Sequence, residues 1–322
     1  MLYQRFSIYI GELKKFIGGF GYFISEYELG GCKVKKIYLL LLASFLFTST
    51  VSAKEVYVAL GDSLAAGQTP YAQIDAGYTD FIAMQLMRSG QLQSFTKQLA
   101  FPGYTVGDVL ERVQTEEAQH LLKNATLITI SAGANNLLPL VSHNPQKGTI
   151  SFSQLTANFA LNKARKDYVE LLQLINKLAP NADVYVMGYY FPYVSVHEEQ
   201  LVGVTEQLDV LNDILANVAS AYDAEFINVS FGNETSRYLS NVADVHPNME
   251  GYMVMANAFL QERGLMQMNA SQLPKPNPLT FEEILQMQQQ QQPIMEQEVA
   301  VKPIENYVVY YGYERFKRLF LS

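Results

Sequence analysis

Residues 56–67 read VYVALGDSLAAG, an apolar run of strand type that stops at Gly61, Asp62 and Ser63. Alternating β-branched and aromatic residues, closed by a glycine, predict a short buried strand that feeds a tight turn. In a parallel sheet covered by helices, the carboxyl ends of the strands face an open crevice. Ser63 is therefore predicted to meet a substrate there, although Asp and Ser are also common in ordinary turns and at helix N-caps.

Strand patterns alternate with helix patterns over residues 54–265, which is typical of a parallel sheet with crossover helices. Five strands with their helices predict one doubly wound α/β domain, a three-layer sandwich with helices on both faces of the sheet. The predicted strands are 56–60, 94–100, 127–131, 184–188 and 225–229, and the predicted helices are 78–89, 105–123, 159–178, 205–222 and 249–264.

Three further blocks follow strand-like runs or lie near the last predicted helix: residues 101–103 (FPG), 133–136 (GANN) and 244–248 (DVHPN). With the GDS block, they resemble the SGNH hydrolases, also called GDSL esterases and lipases, over roughly residues 56–260. The resemblance implies the flavodoxin-like fold of that family and a serine esterase that works without a metal or organic cofactor. The four residues that give the family its name are here Ser63, Gly103, Asn135 and His246.

The resemblance also implies a role for each of these residues. A serine hydroxyl becomes a good nucleophile when a neighbouring base takes its proton, and an imidazole is the natural base near neutral pH. By the family pattern His246 is that base, although a lone histidine before a proline also fits a structural role. The backbone N–H groups of Ser63 and Gly103 and the side-chain amide of Asn135 would form the oxyanion hole.

Two positions depart from the family pattern. The family places its acidic residue three positions before the histidine, whereas Asp244 is two positions before His246. Side chains two apart in an extended segment project to the same side, so Asp244 is predicted to orient the imidazole. A backbone carbonyl or another carboxylate stays an alternative. Asn136 stands where the family often has Asp, and we expect activity to survive this change.

The predicted reaction is hydrolysis of a small-molecule ester through an acyl-enzyme on Ser63. Apolar clusters at 137–141 and 189–193 follow strands, so Leu137 and Tyr190 are predicted to contact the substrate. They favour a lipid or other apolar acyl ester over a carbohydrate or cell-envelope O-acetyl ester, unless they only pack around helix starts. A non-catalytic envelope-binding module with the same fold is the alternative from another class. The displaced Asp244 would then be a sign of lost chemistry.

Composition excludes several classes of function. A net charge of −8 and a pI near 5.1, without a basic stripe, argue against a nucleic-acid partner. The single cysteine, Cys32, allows no intramolecular disulfide, and no Cys/His cluster has the spacing of a zinc site. No metal is therefore expected. The GxSxG elbow of the α/β hydrolases is absent, because residue 65 is Ala. Nothing in the sequence predicts the oligomeric state.

Residues 33–53 have the pattern of a secretory signal peptide: a basic patch, an apolar run at 37–47, and small residues before Lys54. We therefore expect secretion, with cleavage after Ala53. The apolar run is short of the roughly 20 residues that span a bilayer, although an uncleaved signal anchor is the alternative. Residues 1–32 are predicted to be an upstream segment added by a wrongly assigned start, with translation beginning at Val34. A lipid-attachment site at Cys32 is set aside, because its apolar region follows the cysteine.

The C-terminal part differs in composition from the domain. Residues 266–304 are rich in Pro, Asn, Met and Gln, including a glutamine run at 288–292, and are predicted to be a linker. The tail, 305–322, is aromatic and mildly basic, so weak contact with a membrane surface or docking on the domain are both possible roles for it. A poorly ordered or unselected extension is the plainer alternative.

Overall fold

The computed structural model describes residues 54–280, 282–284 and 286, together with the backbone of residues 26–29 and 32–35. The chain divides into two units, Met1–Ser52 and Ala53–Ser322. In the first, β1 (Glu26–Leu29) pairs antiparallel with β2 (Cys32–Lys35). The apolar part of the predicted signal segment, the cleavage position at Ala53, the glutamine run and the tail lie outside the described residues.

The second unit is built on a five-stranded, wholly parallel sheet. The order of its strands is β4-β3-β5-β8-β9, and a separate antiparallel hairpin of two short strands, β6 and β7, precedes the longest helix. The prediction of a doubly wound α/β fold is confirmed. The strands are β3 (Glu55–Gly61), β4 (Leu92–Ala100), β5 (Leu127–Ser131), β6 (Ser142–Asn144), β7 (Thr149–Ser151), β8 (Asp183–Met187) and β9 (Glu225–Ile227).

Nine α-helices are found among the described residues, and none of them is both long and apolar enough to cross a membrane. The larger helices form two packing groups: α3 packs on α6 and α6 on α7, whereas α2 packs on α9. The helices are α1 (Ser63–Ala66), α2 (Tyr78–Arg88), α3 (Val106–Val113), α4 (Glu116–Leu122), α5 (Ala134–Leu137), α6 (Gln154–Leu178), α7 (Glu198–Ala221), α8 (Thr235–Tyr238) and α9 (Met249–Glu262).

The middle of the sheet explains why β5 is the clearest strand of the sequence. Its five residues, LITIS, are all buried, as expected for a central parallel strand that is covered on both faces. The few polar groups there are paired: the Tyr57 hydroxyl of β3 lies 2.8 Å from Thr129 Oγ1 of β5. A buried polar group costs little only when it is hydrogen-bonded, so this pair joins the two central strands without loss of stability.

The order in which the chain adds strands to the sheet reverses at β3: the next strand lies on one side of it and the following strand on the other. From β3 the chain adds β4 on one side, and it then crosses over to add β5 on the other. In such sheets the crevice at the carboxyl ends of the two strands is where ligands bind. Gly61 ends β3 opposite Ser131 of β5, with φ +134°, and a Cβ at this position would overlap the Ser131 carbonyl oxygen. Only glycine fits, and it delivers Asp62 and Ser63 to this crevice.

The structure differs from the prediction at several helix boundaries. The single helix predicted at 105–123 is two helices, because Thr115 interrupts it: its Oγ1 accepts a hydrogen bond from Ala118 N and caps α4. Helices α6 and α7 begin several residues earlier than predicted. Their first turns are largely polar and carry no apolar period, and Ser153 caps α6.

The first part of the predicted linker lies against the domain. The Asn257 side chain brackets Met268, donating to its carbonyl (2.9 Å) and accepting from its N–H (2.7 Å). Leu279 and Ile74 exchange two backbone hydrogen bonds of 2.9 and 2.7 Å, and Ile284 is buried. The segment from residue 266, predicted to be a linker, thus packs against the domain as far as Ile284. Four widely spaced apolar residues, Met268, Leu273, Leu279 and Ile284, pack on the core, and their spacing shows no regular period in the sequence.

Candidate active site

The turn after β3 is fixed by the Asp62 side chain. Asp62 is the N-cap of α1, and its Oδ1 accepts hydrogen bonds from Leu64 N (2.9 Å) and Ser131 Oγ (3.0 Å). Its Oδ2 accepts from the Tyr189 hydroxyl (2.6 Å). Burial raises the pKa of this carboxyl above its ordinary value, whereas the hydrogen bonds from Tyr189, Leu64 and Ser131 act in the opposite direction. Asp62 is therefore an acceptor that stabilises the turn.

Ser63, His246 and Asp244 form one chain of hydrogen bonds. Ser63 Oγ lies 2.7 Å from His246 Nε2, although 183 positions separate the two residues, and His246 Nδ1 lies 2.7 Å from Asp244 Oδ1. A carboxylate only accepts, so Nδ1 carries the proton and Nε2 is free to accept from the serine hydroxyl. Ser63 and His246 are each only 8% exposed. This is the arrangement in which an imidazole can take a proton from a hydroxyl.

The spacing of Asp244 and His246 is accommodated by a local turn. One carboxylate oxygen, Oδ1, accepts from both the backbone N–H (2.8 Å) and the ring Nδ1 (2.7 Å) of His246. The side chain therefore reaches the ring from two positions away. Among the described residues no backbone carbonyl and no other carboxylate contacts Nδ1, and the other polar neighbour is the Gln68 side-chain amide at 3.4 Å.

Contacts on both sides hold the loop that carries His246. The Tyr190 hydroxyl donates to the carbonyl of Val245 (2.7 Å). The Tyr252 hydroxyl donates to the Gln68 carbonyl (2.6 Å), which joins α9 to the segment after α1. At the start of α9, Asn248 Oδ1 accepts from Gly251 N (3.0 Å). The imidazole is thus placed by tertiary contacts that local sequence does not show.

The structure brings the second and third blocks together near the serine. Asn135 lies on α5, and its Nδ2 donates to the carbonyl of Tyr104 (2.9 Å), the residue after Gly103. The neighbouring Asn136 Oδ1 accepts from Val106 N (3.1 Å), so this side chain joins the loop after Gly103 to α5. Gly103 is exposed, with φ +85°, and nothing lies within 4 Å of a Cβ built there. That left-handed conformation favours glycine and leaves its backbone open to a ligand.

A pocket opens from the serine and histidine between α7, the start of α6 and the segment 189–193. It encloses about 840 Å³, including the open solvent at its mouth. The predicted contact residues Leu137 and Tyr190 line it, as do Ser63, Asn135 and His246, whereas Gly103 does not. Its apolar walls are formed by Leu137, Leu138, Leu140, Val141, Phe152, Ala157, Phe191, Pro192, Val204, Leu208 and Leu211.

Sequence reasoning missed two parts of this site. The first is Tyr189, whose hydroxyl contacts Asp62; the aromatic run after β8 was the only signal for it. The second is the α7 wall, Val204, Leu208 and Leu211. Their spacing of four and three residues is that of any buried helix face, so the period did not distinguish a pocket wall from the core.

Comparisons with known proteins agree with this architecture. A model of the GDSL-like lipase/acylhydrolase family matches residues 59–254. The uncharacterized protein YpmR of Bacillus subtilis (strain 168) is 25% identical over 215 residues, covering 64% of this chain and 80% of that protein. The lipase Lip_vut3 from a goat rumen metagenome has a TM-score of 0.54 at 21% identity, covering 65% of this chain and 97% of that one. The acetylxylan esterase Axe2 of Geobacillus stearothermophilus has a TM-score of 0.47 at 17% identity, covering 68% of this chain and 99% of that one.

The parallel sheet and its likeness to a lipase structure define an SGNH-type α/β fold. Because the family model spans more than half of the 322 residues, the chain belongs to the GDSL-like lipase/acylhydrolase family. It is an enzyme that hydrolyses ester bonds. The resemblance predicted from the four blocks is confirmed, and family membership disfavours a non-catalytic binding module.

Proposed function

We propose that the enzyme is a serine esterase that cleaves carboxylic esters of apolar acyl groups through an acyl-enzyme on Ser63. The observation that carries this proposal is the hydrogen-bonded chain of Ser63, His246 and Asp244 at one end of an apolar pocket. Neither the hydrogen-bonded residues nor the pocket is sufficient alone. The hydrogen bonds supply a nucleophile with its base, and the pocket supplies a place for the acyl group.

In the first half of the reaction, Ser63 Oγ attacks the carbonyl carbon of the ester while its proton moves to His246 Nε2. Asp244 Oδ1 accepts the hydrogen bond of Nδ1–H and stabilises the imidazolium that forms. The tetrahedral intermediate collapses when the carbon–oxygen bond to the alcohol breaks and Nε2 gives its proton to the leaving oxygen. An acyl-enzyme ester on Ser63 remains.

The second half uses the same groups in reverse. His246 Nε2 takes a proton from water, the resulting hydroxide attacks the acyl-enzyme, and the proton returns to Ser63 Oγ as the acid leaves. In both halves negative charge develops on the former carbonyl oxygen. The Ser63 and Gly103 N–H groups and the Asn135 amide are the proposed donors to it. One N–H of Asn135 binds the Tyr104 carbonyl, and an amide has a second to offer.

The walls of the pocket support an apolar acyl group. Val204, Leu208 and Leu211 line one side, and the segment 189–193 lines the other. An acetyl group would leave most of this apolar surface exposed to water. A longer acyl chain would cover it, and each Å² of apolar surface removed from water contributes about 25 cal/mol to binding. A carbohydrate acetyl ester is therefore the less favoured substrate class.

A fluorophosphonate probe tests the nucleophile. We expect the probe to label the full chain and replacement of Ser63 with alanine to abolish labelling, because the attacking oxygen is then absent. Ser230, an exposed serine in a loop, provides the control: Ser230→Ala should be labelled like the unchanged protein. Labelling that persists in Ser63→Ala would assign the nucleophile to another residue.

The substrate class is tested by the ratio of kcat/KM for p-nitrophenyl octanoate to that for the acetate. Val204→Phe adds bulk to the buried face of α7 and should lower this ratio about 10-fold or more, because steric conflict in the pocket affects the long chain alone. Val210→Phe, on the exposed face of the same helix, should leave the ratio unchanged. A native enzyme that prefers acetate, with a ratio insensitive to Val204→Phe, would favour an O-acetyl esterase.

A further inference from the structure

We infer that the acyl group of the natural substrate carries a hydroxyl along its chain and that Gln207 binds this hydroxyl. The inference rests on the proposed function, since it concerns the same pocket. It names a polar group in a binding site whose walls are otherwise mostly apolar.

Gln207 lies on the pocket face of α7, between Val204 and Leu208, and is only 9% exposed. Its Oε1 is buried and has no hydrogen-bond partner among the described residues. A buried amide oxygen without a donor lowers stability, because it loses its hydrogen bonds to water and gains none in the protein. A methionine or leucine would fill the same space without this cost, so folding alone does not explain a glutamine there.

Three other polar side chains of the pocket have partners within the protein. The Tyr189 hydroxyl donates to Asp62, and the Tyr190 hydroxyl donates to the Val245 carbonyl. Asn135 donates to the Tyr104 carbonyl. The unpaired amide of Gln207 is thus not a general property of the site.

The position of Gln207 along the pocket places it beside the acyl chain rather than the ester. Leu211 marks the end near the reacting groups, because a Cβ on Gly133, the residue before α5, would lie 3.2 Å from Leu211 Cδ1. Gly203, eight residues before Leu211 on α7, lies beside the lining residue Phe152, since a Cβ there would be 3.9 Å from Phe152 Cε1. Gln207 is one helical turn from Leu211, roughly 6 Å along the helix axis. A group bound there is several carbons away from the ester carbonyl.

A hydroxyl is the chemical group that fits best. The unpaired atom is an acceptor, so the ligand has to bring a donor. A hydroxyl both donates and accepts, so it matches the amide in either orientation of its oxygen and nitrogen. A charged group is disfavoured, because the surrounding walls are apolar and the pocket offers no counter-charge beyond the reacting end.

The test compares kcat/KM for p-nitrophenyl octanoate with that for its monohydroxylated analogues, in which the hydroxyl is moved along the chain. In the unchanged enzyme we expect one position of the hydroxyl to be favoured over the plain ester about 10-fold, the scale of one hydrogen bond to a buried amide. In Gln207→Met that preference should disappear. Glu206→Met, on the exposed face of the same helix, is the matched control and should keep it.

Thermal unfolding separates a binding role from a structural one. Gln207→Met should raise Tm relative to Glu206→Met, because it removes an unpaired buried amide. A lower Tm, with an equal loss for plain and hydroxylated esters, would mean that Gln207 is structural and would overturn the inference. So would the absence of a favoured hydroxyl position while Ser63→Ala still abolishes turnover. Turnover that survives Ser63→Ala would instead refute the proposed function.

Discussion

Replacing His246 with alanine is expected to lower kcat for ester hydrolysis about 10⁶-fold, the scale found when a serine hydrolase loses its base. His246 Nε2 lies 2.7 Å from Ser63 Oγ, and among the described residues no other basic group contacts that hydroxyl. Without the imidazole, the serine proton has no acceptor in the transition state. The measurement is kcat for a p-nitrophenyl ester under single-turnover and steady-state conditions.

His120→Ala is the matched control, because His120 is exposed on α4 and lies outside the pocket. It should keep kcat within a few-fold of the unchanged enzyme. The melting temperature of His246→Ala should remain close to that of the native protein, which shows that the loss is chemical rather than a failure to fold. A loss of kcat below about 10²-fold would mean that another group takes the serine proton.

The fold was predictable because strong local signals coincide with the topology. The apolar strand at 127–131 occupies the centre of the sheet, and the glycine at 61 stands where β3 meets β5 too closely for any side chain. Once these two strands are adjacent, the crevice at their carboxyl ends follows from the direction of the crossovers. The placement of Ser63 at that crevice was therefore predictable without coordinates.

The shape of the pocket was not predictable in the same way. Val204 and Leu211 have the period of a core helix, and only the tertiary structure shows that they also line a cavity. The same limit applies to Gln207, because one polar residue on an apolar helix face has no signature in sequence. The signal peptide at 33–53 and secretion stay predictions, since they depend on residues outside the described part of the chain.

The pairing of Asp244 with His246 departs from the family spacing but agrees with the geometry of an extended segment. The family spacing argued against Asp244, whereas the two-residue periodicity of an extended segment argued for it. The coordinates show a contact of 2.7 Å through a local turn. The family spacing is therefore one way for an acid to reach the imidazole. A turn in which Asp244 Oδ1 accepts from both the backbone N–H and Nδ1 of His246 is another.

Replacing Asp244 with alanine is accordingly expected to lower kcat about 10⁴-fold, which is the usual scale for the acid of such a triad. In the proposed mechanism the carboxylate holds the tautomer in which Nε2 accepts from the serine, and it stabilises the imidazolium. Asp209→Ala, an exposed position on α7, is the control and should leave kcat unchanged. A loss of less than about 10-fold in Asp244→Ala would show that a different group, such as the Gln68 amide at 3.4 Å, orients the ring.

Asp244→Asn distinguishes orientation from charge, because of how His246 contacts this side chain. Both contacts, from the backbone N–H and from Nδ1–H, go to a single oxygen, Oδ1. An asparagine can place its carbonyl oxygen there and accept both hydrogen bonds. The opposite orientation of its amide is disfavoured, because its NH₂ group would face the two N–H donors of His246. The imidazole therefore keeps the productive tautomer and loses only the negative charge beside it.

We expect Asp244→Asn to retain about 10- to 100-fold more kcat than Asp244→Ala, since a hydrogen bond to a neutral oxygen is weaker than one to a carboxylate but still orients the ring. Equal losses in the two variants would mean that charge, and not orientation, is the main contribution of Asp244 to the rate.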